Sequence, residues 1–267
     1  MTIEGILFDV DDTLVDTRKA FARALVAVRA EHLPHVPPER DPEILSHWRT
    51  DPGGYYRRYK RGEMGYAAQR RHRAALLHDT FGGAPVTERF FTAWDALFWG
   101  TFEQSWTPHE DARAALDAVR SAGLRVGAVT NADTELQERK LKTTGLADLP
   151  VLVALDTLGF GKPDPRVFLE GVRLLGTDPA RTAYVGDKPT ADALAAQEAG
   201  LTGVWLDRGY RRGAGYGGPV PSGTARPGIA GLSAVPRGLE DPDVLRAAGV
   251  VVVERLTDLP AALGYSG

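Results

Sequence analysis

The stretch Gly5-Ile6-Leu7-Phe8-Asp9-Val10-Asp11-Asp12-Thr13-Leu14 decides the fold. Its apolar run, Gly5–Phe8, is met at once by the carboxylates of Asp9, Asp11 and Asp12. A run this short, bounded by polar residues, reads as a buried strand that ends in a polar loop. Working outward, the same unit recurs at residues 124–129 (LRVGAV), which Thr130-Asn131 follow, and at 151–155. It appears again at 182–185, two residues before Asp187, and at 203–206 and 250–253.

Helical patterns fill the intervals. Ala112, Ala115, Leu116 and Val119 mark one face that Gly123 stops, and Thr107-Pro108-His109-Glu110 reads as a capping box with proline at the first helical position. Leu136 and Leu141 belong to a helix ending at Gly145, and Phe168, Val172 and Leu175 to one closed by Gly176. Leu194 and Ala195 lie on a shorter helix that ends at Gly200. Strands alternating with helices require parallel pairing, which predicts an α/β protein with an open, doubly wound, Rossmann-like sheet.

Residues 17–105 break this rhythm. No strand pattern occurs there, Phe21, Leu25 and Val28 keep helical spacing, and Trp48, Tyr55, Tyr56, Tyr59, Phe90, Phe91, Trp94, Phe98 and Trp99 crowd the segment. It reads as an α-helical insert with its own aromatic core, leaving 1–16 and 106–267 to form the sheet domain. Residues 209–238 are dense in glycine and proline and read as a long loop. Gly213, Gly215 and Gly218 match a dinucleotide-binding spacing there, but Pro219 and Pro221 deny the helix such a site needs.

Composition excludes several classes. A net charge of −3 over 267 residues offers no general attraction to nucleic acid or to an anionic membrane. The basic and aromatic runs Tyr55–Lys60 with Arg61, and Arg70-Arg71-His72-Arg73, therefore read as solvated helix faces. With no cysteine there is neither disulfide nor thiolate metal site. The amino terminus has no basic leader and its apolar run is interrupted by acids, so a cytoplasmic address is expected and no membrane span.

Asp9, Asp11, Thr130, Asn131, Lys162 and Asp187 all fall in loops after strands, and in an open parallel sheet those loops share the carboxyl edge where ligands bind. Carboxylates gathered there repel one another until a cation neutralises them. Oxygen donors and substrate phosphate suit Mg2+; the absence of cysteine, and histidines that fall outside these loops, disfavour zinc. His32 and His35 read as a solvated helix end.

The four segments together resemble the haloacid dehalogenase-like hydrolases, subclass I with a helical cap, in their phosphoglycolate phosphatase-like branch. Phe8-Asp9-Val10-Asp11-Asp12-Thr13-Leu14 resembles the first motif and Val129-Thr130-Asn131 the second. Gly161-Lys162-Pro163-Asp164-Pro165 resembles the third, and Val185-Gly186-Asp187 with Asp192 the fourth. Asp12 and Lys188 stand where that family commonly has glycine and serine.

The resemblance implies a phosphatase acting on a small phosphorylated metabolite through an aspartyl-phosphate. Asp9 would be the nucleophile, Asp11 the acid and base, and Thr130, Asn131 and Lys162 would hold the phosphoryl group. Magnesium would be held by Asp9, the Asp11 backbone carbonyl, Asp187 and Asp192. Arg61, beside the hinge candidate Gly62, would meet the substrate from the cap. Asp11 disfavours dehalogenation, since a halide needs no proton; a sugar-phosphate mutase and a non-catalytic binder are the alternatives. Substrate identity and oligomeric state are left open.

Overall fold

The computed structural model describes residues 2–60, 62–209 and 241–265, which fall into two compact units. Among these residues one unit comprises 2–17, 106–209 and 241–265, and the other 18–60 and 62–105.

In the first unit six parallel strands form one sheet: β1 (Gly5–Phe8), β2 (Arg125–Val129), β3 (Val151–Val153), β4 (Thr182–Gly186), β5 (Thr202–Leu206) and β6 (Val251–Val253). Their order is β3-β2-β1-β4-β5-β6. The chain builds outward from β1 on one side, then returns to lay β4 on the other. The carboxyl ends of β1 and β4 thus mark the switch point where ligands bind in such sheets. Every residue of β1 and of β4 is buried, as strands covered on both faces must be.

Register carries the acids to one level. Phe8 pairs with Ala128 of β2 and with Val185 of β4. One step beyond, the Asp9 N–H donates to the Val185 carbonyl at 2.8 Å, so Asp9 still belongs to the ladder while its side chain faces the rim. Leu7, Val129, Val153, Phe168, Val172 and Tyr184 pack as one buried cluster beneath. Each fully buried side chain of this size contributes roughly 1.5–3 kcal/mol.

The second unit carries most of α1 (Thr17–His32), then α2 (Asp41–Thr50), α3 (Tyr55–Lys60), α4 (Tyr66–Phe81) and α5 (Glu88–Gln104). Trp48, Phe81, Phe91, Trp94, Phe98 and Phe102 are buried aromatics of this unit, with the Trp94 and Phe98 rings nearly parallel and 5.8 Å apart. Tyr56 remains exposed. Arg70 and Arg73, read from sequence as part of a solvated face, are instead tucked against this core. Their guanidinium planes stack on aromatic rings, which offsets desolvation in a way an ammonium would not match. His32 likewise packs against Phe90, at 4.9 Å between ring centroids, rather than lying free at a helix end.

Returning to the sheet unit, α6 (Ala112–Ser121) begins four residues later than Pro108, correcting the capping-box reading. Pro108 bridges to Val15 and the His109 N–H donates to Leu14, so this segment is recruited by the loop after β1 before a helix can start. Then come α7 (Thr134–Thr143), α8 (Leu155–Leu158), α9 (Pro165–Leu175), α10 (Ala195–Glu198), α11 (Pro242–Ala247) and α12 (Leu259–Leu263). The first part of the expected helix before Gly200 is a π-helical turn, Pro189–Leu194. Gly213, Gly215 and Gly218, most of the 209–238 loop and Arg61 lie outside the described residues.

Candidate active site

The rim starts from Asp9. Its carboxylate is buried, accepts from the Val10 N–H at 2.9 Å, and lies 3.0 Å from the Lys162 ammonium. Lys162 comes from the loop before α9 and is locked by its own backbone. The Lys162 N–H donates to Asn131 Oδ1 at 2.7 Å, and Asn131 Nδ2 donates back to the Lys162 carbonyl at 2.8 Å. Gly161 is required here, because a Cβ would sit 2.3 Å from Asn131 Oδ1. Asn131 therefore joins the loop after β2 to the loop after β3.

The Lys162 ammonium donates to Asp192 Oδ1 at 2.7 Å and to the Tyr184 hydroxyl at 2.7 Å. Tyr184 in turn donates to the Val129 carbonyl at 2.9 Å. Asp192 is fully buried on the π-helical turn, where its Oδ2 also accepts from the Lys188 N–H at 2.9 Å. It fits because Gly186 is glycine: a Cβ there would meet the Asp192 carboxylate at 2.4 Å. Asp187 stands beside it, its carbonyl held by the Trp205 indole N–H at 3.1 Å and its Oδ1 by the Lys188 ammonium at 3.0 Å.

Asp9, Asp187 and Asp192 each offer a carboxylate oxygen, all within 4.8 Å of one another. Burial drives the Asp9 carboxyl up, with Asp192 adding to it and Lys162 opposing. Burial does the same to Asp187, against the pull of Lys188. For Lys162 burial works against the charge, but Asp192 and Asp9 outweigh it and hold the ammonium protonated. Three buried acids share fewer buried cations. An all-oxygen, all-carboxylate set of this size fits a hard divalent ion, which would relieve that excess.

Asp11 leaves this group. Its carboxylate, about a third exposed, is gripped from α7: Lys140 contacts Oδ1 and Gln137 Nε2 donates to Oδ2 at 2.8 Å. Burial raises the Asp11 carboxyl, yet the Lys140 charge and the two hydrogen bonds outweigh it and bring it below the ordinary value. Thr130, whose N–H donates to Val153 at 2.9 Å, is tied to the same Gln137. Asp12 takes φ +63°, a left-handed conformation that glycine adopts freely, and accepts from Thr17 Oγ1 at 2.6 Å.

The structure thus brings together Asp9, Asp11, Thr130, Asn131, Lys162, Asp187 and Asp192 at one end of the sheet. Tyr184, Gln137 and Lys140 were missed by sequence reading. Tyr184 hides in an apolar strand, and the two α7 residues look like ordinary polar positions on a helix. The available signal was spacing: Gln137, Lys140, Leu141 and Thr144 fall on one buried stripe.

This geometry has counterparts. A family model described as haloacid dehalogenase-like hydrolase matches residues 3–200. A phosphoserine phosphatase of Thermus thermophilus is 38% identical over 131 residues, which cover 49% of this chain and 51% of that protein, so the match spans about half of each. A glyceraldehyde 3-phosphate phosphatase of Methanopyrus kandleri is 29% identical over 78% of this chain and 85% of its own length. Among solved structures, the HAD-hydrolase YfnB from Bacillus subtilis, bound to magnesium, superposes with a TM-score of 0.67. It covers 98% of this chain and 99% of its own at 20% identity, a likeness of fold. With the family model spanning Asp9 through Asp192 of the rim just described, the chain belongs to the haloacid dehalogenase-like hydrolases.

Proposed function

We propose that this chain is a magnesium-dependent phosphatase that hydrolyses a small phosphorylated metabolite through a phosphoaspartate on Asp9. The observation that supports it most is the meeting of Asp9 with Asp187, Asp192 and the Lys162 ammonium, four groups from three loops. Relatives named as phosphatases of phosphoserine, glyceraldehyde 3-phosphate and phosphoglycolate point to the same reaction class.

Asp9 attacks phosphorus, the ester P–O bond breaks, and Asp11, in the protonated form it takes up before this step and regains from water in the next, gives its proton to the departing oxygen. Water then attacks the phosphoaspartate, Asp11 takes the water's proton, and the bond from phosphorus to the Asp9 oxygen breaks to release phosphate. Thr130, Asn131 and Lys162 hold the phosphoryl oxygens, and Lys162 offsets the charge that builds there. Asp9, Asp187, Asp192 and the Asp11 backbone carbonyl would hold the magnesium ion, which when bound supplies charge neutralisation between nucleophile and phosphate. We assign the helical unit, Arg61 included, to selection of the leaving group.

The test is phosphate release from a panel of phosphorylated metabolites with magnesium, with chelator, and with Asp9→Asn. Release that needs both magnesium and Asp9 supports the reading. Turnover that persists in chelator, or phosphate-free isomerisation of a sugar phosphate, would replace it.

A further inference from the structure

The α7 face toward Asp11 and Thr130 is the part of this site that the proposed chemistry leaves unexplained. Gln137 is fully buried and Lys140 nearly so, one turn apart on one face. Burying an ammonium is costly unless it is paired, and Lys140 is paired with Asp11, with the Trp106 ring 5.5 Å away.

Gln137 has a more specific effect. Its amide nitrogen donates one hydrogen to Asp11 Oδ2 at 2.8 Å and points the other at Thr130 Oγ1 at 2.9 Å. With Asp11 ionised, the form in which it takes the water's proton and in which Lys140 holds it, a carboxylate accepts and the amide nitrogen faces it. That leaves Gln137 Oε1 buried with no hydrogen-bond partner among the described residues, an unsatisfied group that costs about 1–3 kcal/mol.

Thr130 Oγ1 also accepts from the Ala132 N–H at 3.3 Å. A hydroxyl has two acceptor positions and one hydrogen. With both positions taken, the Thr130 hydroxyl has only its hydrogen left to offer.

We propose that Gln137 and Lys140 are positioning residues for the hydrolysis. Gln137 makes the Thr130 hydroxyl a hydrogen-bond donor to the phosphoryl oxygen, and together they fix the Asp11 carboxylate for proton transfer. The inference rests on the phosphatase reading above, with Asp11 as the acid.

The experiment compares p-nitrophenyl phosphate with phenyl phosphate, nearly equal in shape but different in leaving-group basicity. A poorly placed acid hurts the more basic phenolate more, so the phenyl to p-nitrophenyl ratio of kcat/KM falls. Misfolding lowers both substrates equally and leaves that ratio alone. We expect the ratio to fall about tenfold in Lys140→Met and to recover largely in Lys140→Arg. In Gln137→Leu it falls about threefold while KM rises for both substrates, because the Thr130 donor is lost. An unchanged ratio in both Lys140→Met and Gln137→Leu, with a lowered ratio in Asp11→Asn, overturns the proposal alone. An unchanged ratio in Asp11→Asn removes Asp11 as the acid, and the functional reading falls with it.

Discussion

Buried charge is handled in opposite ways by the two units. In the helical unit the buried guanidiniums of Arg29, Arg70 and Arg73 each lie against an acid, and those of Arg70 and Arg73 also lie over aromatic rings. Arg70 pairs with Asp95 at 2.6 Å and lies over the Phe98 ring at 4.4 Å; Arg73 lies over Trp48 at 4.2 Å with Asp51 at 3.9 Å. At the sheet edge Asp9, Asp187 and Asp192 crowd together, and Lys162, itself shared by Asp9 and Asp192, is buried with them, while Lys188 at Asp187 is half exposed. A matched charge is a packing element, whereas a surplus of one sign is an arrangement that a ligand completes. The contrast locates function in the sheet unit before any chemistry is named.

The sharpest way to break the comparison is Asp9→Asn. Phosphate release is expected to drop by at least about 10^4-fold, as for loss of a nucleophile. Stability should hold at neutral pH and above: Asp9 is raised by burial, so it costs stability once ionised, and the amide removes that cost. A thermal midpoint several degrees below wild type at pH 8 would show that Asp9 is a structural charge.

Lys162→Met comes next, since it strips the cation from two buried acids. It should cost about 3–5 kcal/mol in denaturant titrations and abolish turnover. A variant as stable as wild type would mean that the acids find another partner.

Arg70→Met should cost about 1–3 kcal/mol through lost stacking and a stranded Asp95. It should leave turnover of p-nitrophenyl phosphate per folded molecule within about threefold. Loss of turnover without loss of stability would erase the division of labour.

Acid sharpens the contrast further, except at His109 of the sheet unit, which burial also brings down, to about 4. Burial holds His32, His47 and His78 below the ordinary histidine value, so the unfolded chain binds more protons as pH falls from about 6.5. Stability contributed by these neutral rings is full at pH 7 and above and is lost on acidification. Asp9 and Asp187, raised by burial, have the opposite sign and gain on acidification. Thermal midpoints from pH 8 to pH 5 should fall less steeply in His32→Phe than in wild type; equal slopes would remove His32 from the account. The smallest effect is Asp12→Gly, where relief of a positive φ of about 1 kcal/mol is offset by loss of the Thr17 bond, for a net change within about 1 kcal/mol by chemical denaturation.

Much of the site was legible because the proposed catalytic residues sit where strands end, and strands are marked by their apolar runs. Asp9, Thr130 and Asp187 each follow such a run directly or within two residues. Gln137, Lys140 and Arg70 were illegible for one reason. Polar side chains on a helix look the same in sequence whether they face water or a buried partner, and these partners lie 126, 129 and 25 positions away. Pro108 misled because a local capping pattern lost to long-range pairing with Val15.

By itself, then, the sequence determined the alternation of strands and helices, the parallel sheet, and the clustering of Asp9, Thr130, Lys162 and Asp187 at its carboxyl edge. These follow from periodicity and from the handedness of crossovers, which are local or nearly so. Only the tertiary structure decided which cation serves which acid. It set Asp192 against Lys162 and Tyr184, gave Asp11 to Lys140 and Gln137, and turned Arg70 inward. Those pairings depend on distances between residues remote in the chain, where a charge is stabilised by whatever packing brings within about 3 Å.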